Sequence, residues 1–237
     1  EPSDSQECKD YVKSAFEISE KFDCPVIVRL TTRVSHSQSV VEISEKENFQ
    51  LKDYVKDAGK YVMMPAMARK RHVEVEKRMA ALREFSNSSE LNKVEINSQE
   101  IGIITSGISY QYVREAAPDA SVLKLGMVYP IPEKLILDFA SRVKTLYVVE
   151  ELEPFFENQI LKMGIKVVGK EKLPVIGELS AQLIAEKLFD KKIETPELPS
   201  AQTIPVRPPV MCPGCPHRGV FYVLKKLKLT VTGDIGC

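Results

Sequence analysis

The sequence lacks tryptophan, contains only three histidines among its 237 residues, and carries no net charge because 33 basic residues balance 33 acidic ones. A balanced charge gives no electrostatic attraction to nucleic acid or to an acidic membrane surface, so neither is expected as a partner. No apolar run approaches the roughly 20 residues needed to span a bilayer. The first residues also lack the basic and then apolar pattern of a secretion signal.

Stabilising disulfides are not expected either. The five cysteines are an odd number in a chain too large to need disulfides for stability, which favours reduced thiols and a cytoplasmic location. Cys8 and Cys24 are isolated, as is typical of small buried apolar residues. The other three lie near the C-terminus, within an unusual motif.

Apolar residues make up 43% of the chain and suffice for one or two folded domains. At the N-terminus, Asp4 and Glu7 have the spacing of a helix capping box, and apolar residues follow at helical intervals as far as Phe22. The short apolar run at 26–30 predicts a buried strand. A lone helix and strand cannot bury both of their faces, so we expect this segment to be the end of a larger domain.

A further helix is predicted at 66–85, followed by a linker at 87–89. Its basic residues invite a phosphate-binding interpretation, but the glutamates between them favour a solvated helix face. The basic residues are Arg69, Lys70, Arg71, Lys77, Arg78 and Arg83.

From residue 101 onward, apolar runs of strand length alternate with amphipathic stretches of helix length. Strands are predicted at 101–105, 122–125, 146–149 and 165–168, and helices at 108–116, 132–143, 155–163 and 178–189. This alternation predicts an α/β fold with a central, doubly wound parallel sheet. The Lys- and Pro-rich stretch that follows is typical of an interdomain linker.

Three polar segments follow predicted strands and are candidates for chemistry. Residues 105–107 lie where α/β folds bind phosphate, but they lack the spacing of a phosphate-binding loop, which favours a tight connection. Three glutamates at 150–153 could act in acid–base catalysis, although the helix macrodipole alone favours acidic residues there. The polar residues at 33–36 end in His36, for which a surface position is favoured over ligand contact.

The C-terminal segment is different in kind. Cys212 and Cys215 form a C-x-x-C motif, and Cys237 follows a predicted helix at 220–227 and a predicted strand at 229–232. C-x-x-C is the shortest spacing at which two thiolates converge on a metal or an iron–sulfur cluster. Three thiolates leave a tetrahedral site one ligand short, so we expect a fourth ligand on a longer polypeptide.

Several motifs together resemble a known family. They are residues 1–7, 29–36 and 61–72, and most strongly C-P-G-C-P-H-R at 212–218 with G-D-I-G-C at 233–237. In these segments the chain resembles the alpha subunits of indolepyruvate ferredoxin oxidoreductases, members of the thiamine-diphosphate-dependent 2-oxoacid:ferredoxin oxidoreductase family. The resemblance spans the whole chain.

The resemblance implies a division into five regions. Residues 1–45 would end a pyrimidine-binding α/β domain and 46–94 would be a helical linker. Residues 95–190 would form a transketolase C-terminal-like α/β domain, 191–205 a second linker, and 206–237 the start of a pyrophosphate-binding domain.

The resemblance also implies an activity, the oxidative decarboxylation of arylpyruvates such as indolepyruvate with coenzyme A. Thiamine diphosphate, Mg²⁺ and [4Fe-4S] clusters would be the cofactors, and a beta subunit and ferredoxin the partners. Residues bordering the thiamine site would be His217, Gly233, Asp234, Ile235 and Gly236, and the iron–sulfur ligands Cys212, Cys215 and Cys237. The activating glutamate and the magnesium motif would lie outside this sequence, so the chain alone is expected to be inactive.

Other functions stay open from the sequence. The chain could be part of another 2-oxoacid:ferredoxin oxidoreductase, or of a thiamine-diphosphate enzyme without redox function. It could also be a structural module that binds zinc through its C-terminal cysteines. Within the first interpretation, the C-P-G-C motif is either a cluster ligand or a rigid turn whose thiols only pack near the cofactor.

Overall fold

The computed structural model describes residues 1–45, 53–194 and 210–233. Contacts divide the chain into two units, Glu1–Glu194 and Thr195–Cys237. The first unit contains α1 (Ser5–Phe22), α2 (Thr32–His36), α3 (Ala58–Tyr61), α4 (Pro65–Ser88), β1 (Lys93–Glu95), β2 (Ile101–Ser106), α5 (Ser109–Ala116), β3 (Ser121–Leu125), α6 (Glu133–Ser141), β4 (Thr145–Val149), α7 (Phe155–Lys162) and α8 (Ala181–Phe189), and the second contains α9 (His217–Lys226).

A four-stranded sheet in the order β1-β3-β2-β4 forms the centre of the first unit. The central strand β2 is parallel to both of its neighbours, and β1 runs antiparallel to β3 at one edge. Alternate residues of β2 enter different cores: Ile103 packs with α5 and α8 on one face, and Ile104 packs with α6 and α7 on the other. Helices on both faces confirm the predicted doubly wound α/β fold.

Most of the predicted helices and three of the predicted strands are confirmed, but the strand at 26–30 was a wrong prediction. That segment has no regular secondary structure and no partner strand among the described residues, and Ile27 is 90% exposed. Residues 165–168 contribute only one bridge, from Val168 to Tyr147, and 229–232 form no strand. Apolar, β-branched residues favour extended backbone, but a strand also needs a free edge to pair with. The sequence interpretation also missed β1, whose three residues are too few to show a period.

Helix α1 is attached to the sheet by a buried ion pair. Lys124 lies in β3 with no exposed side-chain surface, and its ammonium donates to the carboxylate of Glu7 and to Ser3 Oγ at 3.0 Å. Glu7 Oε2 also accepts from the backbone nitrogen and the hydroxyl of Ser3, both at 2.9 Å. Because a buried charge is costly unless it is paired and hydrogen-bonded, these contacts fix α1 against β3.

The capping box predicted from the sequence has an additional role in this attachment. Asp4 caps α1 by accepting from the backbone nitrogen of Glu7 at 2.8 Å, as the spacing predicted. The Glu7 side chain folds back toward the start of the helix, where its carboxylate accepts hydrogen bonds from both Ser3 and Lys124. The aromatic rings of Tyr11 and Tyr110 lie 5.6 and 5.0 Å from the Lys124 ammonium and cover it from solvent.

The electrostatic environment of Glu7 follows from these contacts. Burial alone would raise the pKa of the Glu7 carboxyl, but hydrogen bonds from Lys124 and from the Ser3 backbone, with the charge of Lys124, lower it to about 2. Lys93 adds a second cation at 3.0 Å from the other carboxylate oxygen. Glu7 is therefore ionised at any pH near neutrality.

Helix α4 is confirmed as a long helix and extends to Ser88, so the linker predicted at 87–89 is wrong for its first two residues. Asn87 joins the end of α4 to the start of α6. Its side-chain oxygen accepts a hydrogen bond at 2.9 Å from the backbone nitrogen of Lys134, in the first turn of α6. Lys134 also pairs with Glu84 of α4. None of the helices in the described ranges is long and apolar enough to cross a membrane.

Replacing Lys124 by Met should leave the Glu7 carboxylate buried with only Lys93 as a counter-charge. We expect the free energy of unfolding, measured by urea titration, to fall by about 3 kcal/mol. The exposed pair Lys134–Glu84 provides the matched control, since Lys134→Met should cost less than about 1 kcal/mol. Equal losses for the two variants would contradict the assignment of Lys124 as the anchor of α1.

The lowered pKa of Glu7 predicts a specific acid dependence of stability. The folded pKa lies below the unfolded value near 4.5, so the contribution of Glu7 is fully present above about pH 4.5 and is lost as the pH falls through about 2. The difference in unfolding free energy between the unmodified chain and Glu7→Gln should be constant near neutrality and shrink below pH 4.5. A difference independent of pH down to pH 2.5 would refute this.

Candidate functional site

The first candidate site lies at the carboxyl edge of the sheet. The helix that follows β2 packs on one face and the helix that follows β4 packs on the other, so the chain diverges between these neighbouring strands. Open α/β sheets bind ligands in such a crevice. A cleft of about 480 Å³ opens there, and the buried hydroxyl of Thr31 in its wall has no hydrogen-bond partner among the described residues.

The chain's own N-terminal segment occupies the part of this edge where a phosphate would be expected. Ser106 Oγ donates to the Glu1 carboxylate at 2.9 Å, and the backbone nitrogen of Glu1 donates to Gly126 O at 2.6 Å. The other Glu1 oxygen pairs with Arg29 at 2.6 Å. A carboxylate against the turn at 105–107 repels an anion, so the structure supports the tight-connection interpretation of that turn over phosphate binding. Gly107 provides the positive φ of 53° that the turn requires.

The glutamates that follow β4 are placed by helix α7. Glu150 is 6% exposed, and its two carboxylate oxygens accept from the backbone nitrogens of Phe156 and Glu157 at 2.8 and 3.0 Å. Burial raises the pKa of Glu150, while these hydrogen bonds and the charge of Lys170 act in the opposite direction. The carboxylate caps the first turn of α7, which is the macrodipole role weighed from the sequence.

The polar residues at 33–36 lie on the short helix α2. Arg33 is bound to Glu178 at 2.5 Å across the surface, and His36 is exposed at the helix end. The surface interpretation of His36 is therefore supported.

The second candidate site is the C-P-G-C turn of the C-terminal unit. The backbone nitrogen of Cys215 donates to Cys212 O at 3.1 Å, and Gly214 has a φ of 78°, which together define a β-turn with Pro213 and Gly214 at its centre. The turn leads directly into α9, where Arg218 N donates to Cys215 O at 3.2 Å. The Cα atoms at the two ends of a β-turn lie within about 7 Å, so both thiols belong to one small region.

The remaining predicted site residues are only partly described. His217 is the first residue of α9, with its ring 6.4 Å from that of Phe221, and Gly233 lies in an exposed segment without regular structure. Asp234, Ile235, Gly236 and Cys237 lie outside the described residues, so the predicted convergence of three cysteines stays a prediction. Within the described ranges, no group of three or more His, Cys, Asp or Glu side chains could hold a metal ion.

The sequence interpretation missed the role of the N-terminal segment. Two signals could have found it. Lys124 is a charged residue inside a strand whose five residues are all buried, and a lysine in such a position requires a buried acidic partner. Glu7 is the third member of an S-D-x-x-E capping pattern and was assigned only to the helix end. These signals mark each residue separately, and only the fold shows that Lys124 and Glu7 meet.

Comparison with known proteins supports a relationship over the whole chain. No family model matches. Proteins named indolepyruvate oxidoreductase subunit IorA are similar along 100% of this chain: that of Methanothermobacter marburgensis is 37% identical, that of Archaeoglobus fulgidus 38% and that of Pyrococcus abyssi 35%. The chain spans 43%, 42% and 41% of their lengths, respectively. The resemblance inferred from the motifs is thereby confirmed.

A solved structure also has a partial likeness to this chain. It is a 2-oxoglutarate:ferredoxin oxidoreductase from Magnetococcus marinus with 2-oxoglutarate, coenzyme A and succinyl-CoA bound. The match covers 54% of this chain and 24% of that one, with 18% identity and a TM-score of 0.42.

Removing the Glu1 carboxylate tests whether the N-terminal segment stabilises the sheet edge. Glu1→Ala deprives Ser106 and Arg29 of their shared acceptor and should lower the unfolding free energy by about 1–2 kcal/mol. The control is Glu17→Ala on the exposed face of α1, which should change stability by less than about 0.5 kcal/mol. Indistinguishable urea midpoints for the two variants would show that the contact contributes nothing.

Proposed function

We propose, from the similarity of the whole chain to indolepyruvate oxidoreductase subunits IorA, that it is part of an oxidoreductase acting on arylpyruvates such as indolepyruvate. The reaction would be oxidative decarboxylation with coenzyme A, and ferredoxin would accept the electrons. A beta subunit would complete the enzyme, in a cytoplasmic setting. The observation that carries the proposal is the 34–38% identity to six such subunits along all of this chain.

The cofactors of the proposal are thiamine diphosphate with Mg²⁺ and [4Fe-4S] clusters. When bound, thiamine diphosphate would supply a nucleophilic carbon and a cationic ring that accepts the electron pair left by departing carbon dioxide, and the clusters would carry electrons singly. Two cysteine thiols of this chain fit one of these cofactors, the iron–sulfur cluster. Cys212 and Cys215 stand at the two ends of one turn, and thiolates at C-x-x-C spacing are the usual ligands of iron–sulfur clusters. Cys237 is the proposed third ligand.

The turn determines what these residues can do. Pro213 restricts the backbone between the cysteines and Gly214 permits the positive φ, so the turn brings the two cysteines near one another before any ligand binds. His217 and the G-D-I-G segment at 233–236 are proposed to border the thiamine site. The sheet of the first unit supports the N-terminal segment. We propose no proton transfer by the buried carboxylates of that unit, because Glu7 already binds Lys124 and Glu150 already accepts from the backbone of α7.

The same turn supports a second candidate function, a structural zinc site. Cysteine pairs at this spacing also bind zinc, and the turn geometry does not distinguish the two metals. Metal analysis does distinguish them: iron with acid-labile sulfide supports the oxidoreductase, whereas zinc alone supports the structural module.

Replacing Cys212 and Cys215 by Ser in the complete enzyme, prepared without oxygen, tests the proposal directly. We expect both the iron content and the rate of ferredoxin reduction to fall, because a serine oxygen is a poor ligand for these clusters. Cys24→Ser, at an isolated half-buried cysteine, is the control and should leave both quantities unchanged. Unchanged iron and unchanged turnover in the double variant would reduce the motif to a structural turn.

A further inference from the structure

The C-P-G-C turn of the second unit presents two cysteines that are accessible and close together. Cys212 is exposed and Cys215 is half-buried. The hydrogen bond from Cys215 N to Cys212 O closes the turn, so the two Cα atoms lie within about 7 Å of each other. Disulfides usually join residues whose Cα atoms are about 4.4–6.8 Å apart. The backbone of the turn therefore brings the two cysteines to a separation that a disulfide can bridge.

The two isolated cysteines of the first unit cannot form an equivalent bond with one another. Cys8 lies near the start of α1, and Cys24 follows Asp23, the residue that caps the end of this helix. At 1.5 Å per residue, the helix separates the two cysteines by roughly 20 Å. Cys8 and Cys24 are therefore reference thiols, against which the behaviour of the turn can be measured in the same chain.

We propose that Cys212 and Cys215 form a reversible intramolecular disulfide by exchange with a low-molecular-weight disulfide. This bond and metal binding exclude one another, because the ligand of a metal is a thiolate and a disulfide sulfur is not one. The disulfide itself is independent of the function proposed above, whereas its effect on metal binding rests on that function. Oxidation would remove two ligands from the metal and would keep both sulfurs in a form that a thiol can restore.

The difference in exposure assigns the order of the two exchange steps. The more exposed Cys212 attacks as the thiolate, forms a mixed disulfide with one half of the reagent and releases the other half as a thiol. Cys215 then attacks Cys212 Sγ and displaces the second half. Two cysteine thiols are thereby oxidised to one disulfide, and the reagent disulfide is reduced to two thiols. No acidic residue in the first turn of α9 opposes the thiolate of Cys215.

Gly214 allows the role of the turn to be tested separately from the thiols. Its φ is 78°, and a Cβ atom built there meets no other atom of the described residues within 4 Å, so alanine would act through the backbone alone. Because alanine disfavours this conformation, Gly214→Ala should lower the equilibrium constant for disulfide formation against glutathione at least about fivefold. Gly219→Ala is the matched control, since Gly219 also has open space around it but lies inside α9. It should change the constant less than about twofold.

The experiment equilibrates the metal-free 237-residue chain with mixtures of reduced and oxidised glutathione in the absence of oxygen. Free thiols are then blocked with N-ethylmaleimide, and the intact mass is measured. We expect a product that has lost two hydrogens and carries three blocked cysteines instead of five, with peptide mapping placing the bond between Cys212 and Cys215. Cys215→Ser should instead stop at the mixed disulfide and gain one glutathione. Dithiothreitol should return the unmodified chain to five blocked cysteines.

A different product would overturn the proposal. Glutathione adducts on the unmodified chain without the internal bond would do so, as would a bond from either cysteine of the turn to Cys237. An equal response of Gly214→Ala and Gly219→Ala would show that the turn does not favour the bond.

Titration with cobalt(II) separates this proposal from the function proposed above. We expect the reduced chain to develop the absorption of a cobalt–thiolate complex and the oxidised chain to lack it. Equal absorption in both states would overturn the mutual exclusion of disulfide and metal. An internal disulfide in a chain whose reduced form shows no such absorption would support the disulfide and contradict metal binding by the turn, so the two proposals can fail separately.

Discussion

The ion pair between Lys124 and Glu7 is the interaction on which the arrangement of the first unit depends. A lysine with no exposed surface inside a sheet strand is tolerated only if a carboxylate meets it, because an unpaired buried charge costs several kcal/mol. Glu7 meets it from the first turn of α1, and the position of that helix against the sheet is thereby set. The segment ahead of the helix must then follow the carboxyl edge of the sheet, which brings Glu1 to Ser106 and Gly126.

This constraint changes how the sheet's carboxyl edge is understood. In an open α/β sheet, the divergence of the chain between neighbouring strands usually leaves a crevice for a ligand. Here one side of that crevice is filled by Glu1, and the Glu150 carboxylate on the other side caps α7. Both carboxylates have protein partners, so the polar groups of this edge serve to join parts of the fold. The chemistry of the proposed function rests instead on the cysteine turn of the C-terminal unit.

Charged residues in this protein have different roles according to how their partners are arranged. Lys124 contacts the Glu7 carboxylate, the Ser3 hydroxyl and two aromatic rings, and it acts as a structural anchor. Arg71 and Arg78 lie 3.5 and 3.6 Å from the Asp23 carboxylate, which Lys60 contacts at 2.5 Å. The Lys124–Glu7 pair is buried, whereas the Asp23 side chain is 52% exposed, so solvent screens its ion pairs and they contribute little to stability.

The sequence by itself determined the local structure and the kind of fold. The period of its apolar residues was enough to predict α1, α4 and the alternating elements from β2 to α8. A helix that buries one face has apolar residues at helical spacing, and a buried strand is a short apolar run. It also marked the cysteine turn, because Pro213 and Gly214 are residues that favour the two central positions of a β-turn. The strand predicted at 26–30 was wrong because strand pairing depends on a neighbouring edge, which the apolar run does not encode.

Only the tertiary structure decided which distant residues meet. The pairing of Glu7 with Lys124, of Glu1 with Ser106, and of Asp23 with Arg71 and Arg78 joins positions separated by between 48 and 117 residues in the chain. No local period or motif specifies such partners, since they follow from how the helices pack on the two faces of the sheet. The residue types of a charged cluster can be read from the sequence, whereas its charge balance exists only after folding has brought the members together.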